Sequence, residues 1–193
     1  LETDKTYGEK LNADENSPYQ SSEPYATSKC CQGFIAQSYI STYDMNIKIA
    51  HSVNVIGYDP FNDRLYPNTV KRLIRGEAPI IYTNDNSIRE YVFINDLIDA
   101  LYLLMSDVYD KRIYNIRTGW IFNQKEIIEK IVEYYNDINF DNIVPIYEKG
   151  NIPRQIQNES MTSINWSWTP SWSFQDALQE IVDLFMIYKY DWI

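Results

Sequence analysis

Residues 89–107 read "REYVFINDLIDALYLLMSD". The opening REYVFI is short, aromatic and β-branched, which are strand features. It runs directly into NDLIDALYLLMSD, which reads as a helix, and Asn95 is placed to cap it. A strand feeding a helix is half of a βαβ unit, and the sequence on either side keeps the alternation. Upstream, "NIKIAHSVNVIG" (46–57) is a strand ending at Gly57. "RLYPNTVKRLIRGEAP" (64–79) is a helix closed by Gly76, with Lys71, Arg72 and Arg75 toward the end that the macrodipole makes favourable for cations. "PIIYTN" (79–84) is a short strand. Downstream, "RIYNI" (112–116) is a further strand and "NQKEIIEKIVEYYN" (123–136) a helix opened by the Asn123-x-x-Glu126 cap signal. An irregular stretch with Pro145 and Pro153 follows. "SFQDALQEIVDLFMIYKYDW" (173–192) is then an amphipathic helix starting at Ser173. Near the beginning, residues 9–24 are polar and rich in Asn, Ser and Pro, hence a loop. A helix follows with Pro24 in its first turn and an apolar stripe through Ile35, Tyr39 and Tyr43. Strands alternating with helices define an α/β fold. There is no internal repeat.

The bulk properties exclude several function classes. With 193 residues, 45% of them hydrophobic, the chain can bury a core as one domain or two small ones. Its net charge of −10 argues against a nucleic-acid or anionic-membrane surface, because those partners reward clustered Lys and Arg. No apolar run approaches the roughly 20 residues of a membrane span. The acidic first residues lack the basic and apolar regions of a secretory signal, so a cytoplasmic location is expected. The two cysteines, Cys30 and Cys31, are adjacent, which suits neither a redox pair nor a metal cluster, and two buried thiols are expected. The single histidine, His51, lies in the β-rich run "IKIAHSV" and reads as buried. Histidine triads and histidine-rich metal sites are thereby disfavoured. Acid–base chemistry near neutral pH would need another side chain with a shifted pKa.

"EPYATSK" (23–29) offers one. On a helix, Tyr25 and Lys29 share a face one turn apart, and a cation beside a phenol favours the phenolate. With 17 tyrosines in 193 residues, chance alone supplies about one Tyr-x-x-x-Lys, so the pair decides nothing by itself.

Seven blocks taken in order do decide. "ETDKTYG" (2–8), "PYATSK" (24–29), "SVNVIG" (52–57), "RLYPNTVKRLIRGEAP" (64–79), "REYVFINDLIDAL" (89–101), "YNIRTG" (114–119) and "SWTPSWSFQDAL" (167–178) resemble the extended short-chain dehydrogenase/reductases that act on nucleotide sugars, the NAD-dependent epimerase/dehydratase family. The resemblance implies a partial Rossmann domain (1–57 and 89–107) and a smaller α/β substrate domain (58–88 and 108–193). It implies NAD as cofactor and a nucleotide-diphosphate sugar as substrate. Thr3, Tyr25 and Lys29 become the catalytic triad, with Lys29 also holding the nicotinamide ribose. Asp4 takes the position of the acid that protonates a departing 6-hydroxyl, which favours 4,6-dehydration over 4-epimerisation. Lys5 after Asp4 resembles CDP-glucose 4,6-dehydratase. Arg89 and Asn54 match residues near the substrate diphosphate. From the residues alone, Arg89 also reads as a solvent-facing strand arginine, Asn54 as a strand-end turn residue and Asp4 as a loop carboxylate.

The chain departs from the family pattern in three places. The six glycines, at 8, 33, 57, 76, 119 and 150, are too dispersed for the Gly-rich pyrophosphate turn of a dinucleotide site. "NESMTSINWSW" (158–168) lacks the usual Asp and Lys, and Glu148-Lys149-Gly150 replaces an Arg-Pro-Gly-like loop. The expectation is the C-terminal portion of a dehydratase, inactive by itself, whose partner is a separate N-terminal half or a second copy in a homodimer. The alternatives are a 4-epimerase fragment and a non-catalytic interaction module.

Overall fold

The structure is a computed structural model and describes residues 1–139, 141–150 and 161–192. The elements are β1 (Glu2–Thr3), a 3-10 turn (Asp4–Tyr7), α1 (Pro24–Tyr43), β2 (Ile49–Ser52), β3 (Asn54–Ile56), α2 (Leu65–Ile74), β4 (Ile80–Tyr82), β5 (Ile88–Phe93), α3 (Ile94–Leu104), β6 (Ile113–Ile116), β7 (Trp120–Asn123), α4 (Gln124–Asn139), β8 (Ile146–Glu148), α5 (Phe174–Ile187) and a final 3-10 turn (Lys189–Asp191). The α/β alternation is as expected. The run 46–57 divides into β2 and β3, which join different sheets: the orders are β1-β2-β6, β3-β5-β7 and β4-β8.

The chain forms two compact units. The first comprises 1–55, 89–121 and, of the described residues, 161–171. Its β1-β2-β6 sheet is wholly parallel, with Glu2 opposite His51 and His51 opposite Asn115. Parallel strands need crossovers, which α1 supplies between β1 and β2. A core of Tyr7, Ala50, Val53, Val92, Leu97, Ala100, Leu104, Tyr114, Ile116, Met161 and Trp166 fills this unit. Leu97, Ala100 and Leu104 recur at helical spacing on α3, so truncating either leucine to alanine would cost roughly 2–5 kcal/mol. Residues 108–121 therefore differ from the boundary expected at 107: β6 pairs with β2, and the 161–171 segment packs on the same core.

The second unit comprises 56–88, 122–150 (without 140) and 172–192 among the described residues. Helices α2, α4 and α5 pack together and α4 packs on β4. Ile127, Ile128, Ile131 and Tyr135 of α4 are buried together with Leu178, Ile181, Val182 and Phe185 of α5. The Asn123–Glu126 box forms reciprocally, at 2.9 and 2.8 Å. Gly76 closes α2 with φ +71°, and Glu77 N donates to Arg72 O, a Schellman-type end.

Three local expectations fail for physical reasons. The large stripe on α1 is exposed: Ile35, Tyr39 and Tyr43 face solvent, whereas Ala26, Cys30 and Gly33 are buried. Those three lie at i, i+4 and i+7, and their small size lets the helix approach β1 closely. Cys31, on the other side of α1, is consequently exposed and only Cys30 is buried. Asn95 does not cap α3; Phe93 occupies the cap position with no side-chain bond. Neighbouring Asp96 instead turns inward and accepts from Ser171 N and Oγ, each at 2.8 Å. Pro153 and residues 158–160 lie outside the described residues.

Candidate active site

Thr3 ends β1 and caps the 3-10 turn that begins at Asp4. Its hydroxyl donates to Asp4 Oδ1 at 2.9 Å and accepts weakly from Lys5 N at 3.4 Å, and the Thr6 hydroxyl returns to Thr3 O at 2.8 Å. Thr3 and Asp4 are both buried. Gly8 ends the turn with φ +67°, and a Cβ there would lie 2.2 Å from Gln20 O, so this position requires glycine. The 9–23 loop is thereby tied beside the turn, with Gln20 N donating to Thr6 O at 2.8 Å.

Lys5 reaches sideways, its Nζ donating to Asn54 Oδ1 at 3.4 Å, while Asn54 Nδ2 donates to Glu90 O at 3.0 Å. Four of the residues singled out in the sequence (Thr3, Asp4, Lys5 and Asn54) are thus in one bonded chain. Arg89 follows Ile88 at the start of β5 and is half-buried. Its neighbour Glu90 is fully buried and accepts from Thr118 N at 2.9 Å, from Gly119 N and from Arg117 Nε at 3.4 Å.

Tyr25 and Lys29 occupy the first two turns of α1, whose N-terminus Glu23 caps through its carboxylate, accepting from Ala26 N at 2.8 Å and Tyr25 N at 3.2 Å. The Tyr25 side chain is open to solvent, at 48% exposure. Lys29 donates to Gln32 Oε1 at 3.0 Å. It also acts on the buried carboxyl of Glu2. Burial raises that carboxyl above its ordinary pKa and Lys29 partly opposes the rise.

A second constellation escaped sequence reasoning. His51 is fully buried. Its Nδ1 lies 3.0 Å from Tyr7 Oη and 3.2 Å from Asn115 Oδ1, and its Nε2 lies 3.1 Å from Tyr19 Oη. The Tyr7 hydroxyl donates to Asn115 Oδ1 at 2.9 Å. Burial lowers the His51 pKa to about 4, keeping the ring neutral, although the Asn115 bond opposes this. Burial likewise pushes Tyr19 up to about 12 and raises Tyr7 well above the ordinary phenol value. Asn115 in turn rests on buried Glu15, which accepts from Asn115 N, Ser163 Oγ and Ile164 N at 3.0, 2.9 and 3.0 Å. Partners 32 to 64 residues from His51 leave no local sequence signal: the parallel register brings Asn115 beside it, while Tyr7 comes from the 3-10 turn and Tyr19 from the following loop. These groups support the turn that bears Thr3 and Asp4 from its Tyr7 end.

The parallel sheet, the βαβ crossover and the polar strand end beneath α1 define a Rossmann-type α/β protein. The chain belongs to the NAD dependent epimerase/dehydratase family, whose model matches residues 1–116, more than half of it. Among curated relatives it is 26% identical over 188 residues to a low-salt glycan biosynthesis protein of Haloferax volcanii, covering 96% of this chain and 60% of that one. It is 24% identical over 201 residues to a dTDP-glucose 4,6-dehydratase of Haemophilus influenzae, with the same two coverages. The chain thus spans about 60% of the length of these relatives. A crystal structure of dTDP-glucose 4,6-dehydratase from Bacillus anthracis, in complex with NAD, superposes with a TM-score of 0.83 at 21% identity, covering 99% of this chain and 62% of that one. UDP-glucose 4-epimerase from Thermotoga maritima with UDP-glucose gives 0.82 at 20%, covering 97% and 62%. At these identities the structural likeness establishes the fold. Among the described residues no helix is long and apolar enough to cross a membrane.

Proposed function

We propose that this chain is the catalytic and substrate-binding portion of an NAD-dependent nucleotide-sugar 4,6-dehydratase of the CDP-glucose type. The observation that carries the reading is the buried Asp4 carboxyl hydrogen-bonded to Thr3 at 2.9 Å, on a strand end packed against the helix that presents Tyr25 and Lys29. The donors of Tyr25 and Lys29 fit the ribose end of a dinucleotide. The dispersed glycines do not form a pyrophosphate turn, so the rest of that site must come from other residues than these. NAD, when bound, would accept a hydride from C4 of the sugar and return it to C6.

In this reading Tyr25, with Lys29 one turn along the same helix face, takes the proton of the sugar 4-hydroxyl. Thr3 orients that oxygen. Once C4 is a carbonyl the C5 proton is acidic, and Lys5, after its ammonium has given up a proton to become the amine, is the side chain at hand to take it. Asp4 gives its proton to the 6-hydroxyl, which leaves as water. Arg89 supports the diphosphate, its planar fork matching phosphate oxygens, together with Asn54. Epimerisation would need no acid for a leaving hydroxyl, so Asp4 favours dehydration.

The test is calorimetric titration of NAD into the 193-residue chain, alone and mixed with a separately expressed Gly-rich half, followed by CDP-glucose turnover in the mixture. The expected result is binding only in the mixture, a 4-keto-6-deoxy product, and loss of product with Tyr25→Phe. Product epimerised at C4 would favour an epimerase. No binding in either case would leave the interaction-module reading.

A further inference from the structure

Lys5 follows the site acid directly, yet a lysine side chain on a surface turn ordinarily samples many rotamers. Here its Nζ meets Asn54 Oδ1, which lies 49 residues away in the chain. The amide of Asn54 is itself oriented: a carbonyl such as Glu90 O accepts only from Nδ2, and an ammonium donates only to Oδ1. The two bonds therefore agree on one amide orientation, with the acceptor aimed at Lys5. The Glu90 carbonyl is a rigid anchor, since it lies in β5 and the Glu90 side chain is pinned by the 117–119 turn. We infer that Asn54 is a positioning residue for the Lys5 ammonium, holding it beside Asp4 and presenting it to the substrate. Its influence on the reaction runs through Lys5 as well as through any phosphate contact. What the ammonium does there rests on the reading proposed above; its tethering by Asn54 does not.

The tether can be tested without substrate or cofactor. Amine acylation by acetic anhydride at fixed pH, quantified by peptide mass spectrometry, reads how freely each lysine loses its proton and reaches reagent. In Asn54→Ala, Lys5 should be acylated on the order of threefold faster. In Asn54→Asp it should be acylated slower by a similar factor, because a facing carboxylate favours the charged form. Lys48 of the same unit, bonded to Leu104 O at 2.6 Å and Ser106 O at 2.7 Å, reports intact folding by an unchanged rate. An unchanged Lys5 rate in both folded variants would overturn the inference. Should both variants unfold, the unsubstituted protein decides: a nuclear Overhauser contact between the Lys5 ε-protons and the Asn54 amide protons is expected, and its absence overturns the tether. In the reconstituted enzyme, Asn54→Ala should lower kcat more than it raises KM, whereas a phosphate contact alone would do the reverse. Failure of dehydration with an intact acylation pattern would sink the proposed reaction and leave the tether standing.

Discussion

The Tyr19 hydroxyl sits 3.1 Å from His51 Nε2, and it reaches that position by passing over the bare Cα of Gly33. A methyl group at 33 would lie 2.6 Å from the Tyr19 oxygen and 2.9 Å from its ring. Gly33→Ala should therefore destabilise the chain, a clash worth ~1–3 kcal/mol outweighing the ~1 kcal/mol gain in helix propensity. In a Tyr19→Ala background the same substitution should be neutral or stabilising. A denaturant double-mutant cycle measures the coupling, and additive effects would refute it.

The neutral His51 makes stability fall with acid. Its folded pKa, about 4, lies below the unfolded value of 6.5, so the unfolded chain binds the extra proton between them. The contribution is complete above pH 6.5 and is lost as pH falls toward 4, amounting to about 3 kcal/mol. The stability of His51→Gln should be flatter than that of the unsubstituted protein across this window. Parallel pH curves would exclude His51 as the source.

Alkali should act through the tyrosines with the opposite sign. Tyr19 rises to about 12 from 10.0 and Tyr7 rises too, so the folded state keeps protons that the unfolded state loses. Stability is present below pH 10 and declines as pH rises from there toward 12. Tyr19→Phe should shrink that alkaline slope, as measured by urea midpoints at successive pH values.

Glu15 holds three donors on two oxygens while buried. Glu15→Gln would turn an amide donor toward one of them, costing about 1–3 kcal/mol. Glu15→Asp, which is too short to span them, should cost a similar amount. Thermal unfolding checks both, and an unchanged midpoint would contradict the role.

Helix caps give a calibrating pair in the second unit. Asn123→Ala removes the acceptor for Glu126 N, and Ser173→Ala removes the acceptor for Asp176 N at 3.1 Å. Each should cost about 1 kcal/mol, and the two should add in denaturant melts.

The readable elements were those whose signal is local. The Asn123–Glu126 box, the Gly76 terminus and the Ser173 start all lie within one turn of the feature they mark. Where a signal depended on a partner, hydropathy misled: on α1 the large residues Ile35 and Tyr39 marked the wrong face, because close approach to the sheet selects small side chains. The two-residue β1 is too short for periodicity to reveal, and Trp120–Asn123 and Ile146–Glu148 carry no alternation of apolar and polar residues. Of the candidate site, the contiguous Thr3-Asp4-Lys5 and the Tyr25–Lys29 pair stand out in the sequence as local patterns. The Lys5–Asn54 tether and the His51–Asn115–Glu15 network do not, since their partners lie 49 to 100 residues apart in the chain.

That long-range pairing also sets when the site can exist. Thr3 and Asp4 precede most of what supports them, for Asn115 N meets Glu15 across 100 residues and Ser163 meets it across 148. A nascent chain holding everything up to α3 still lacks the third strand of the sheet and the segment that closes its core. Contacts this distant fold slowly, since loop-closure entropy is lost before they form. The strand end that bears Thr3 and Asp4 therefore gains its full support only once β6 and the 161–171 segment have joined the core.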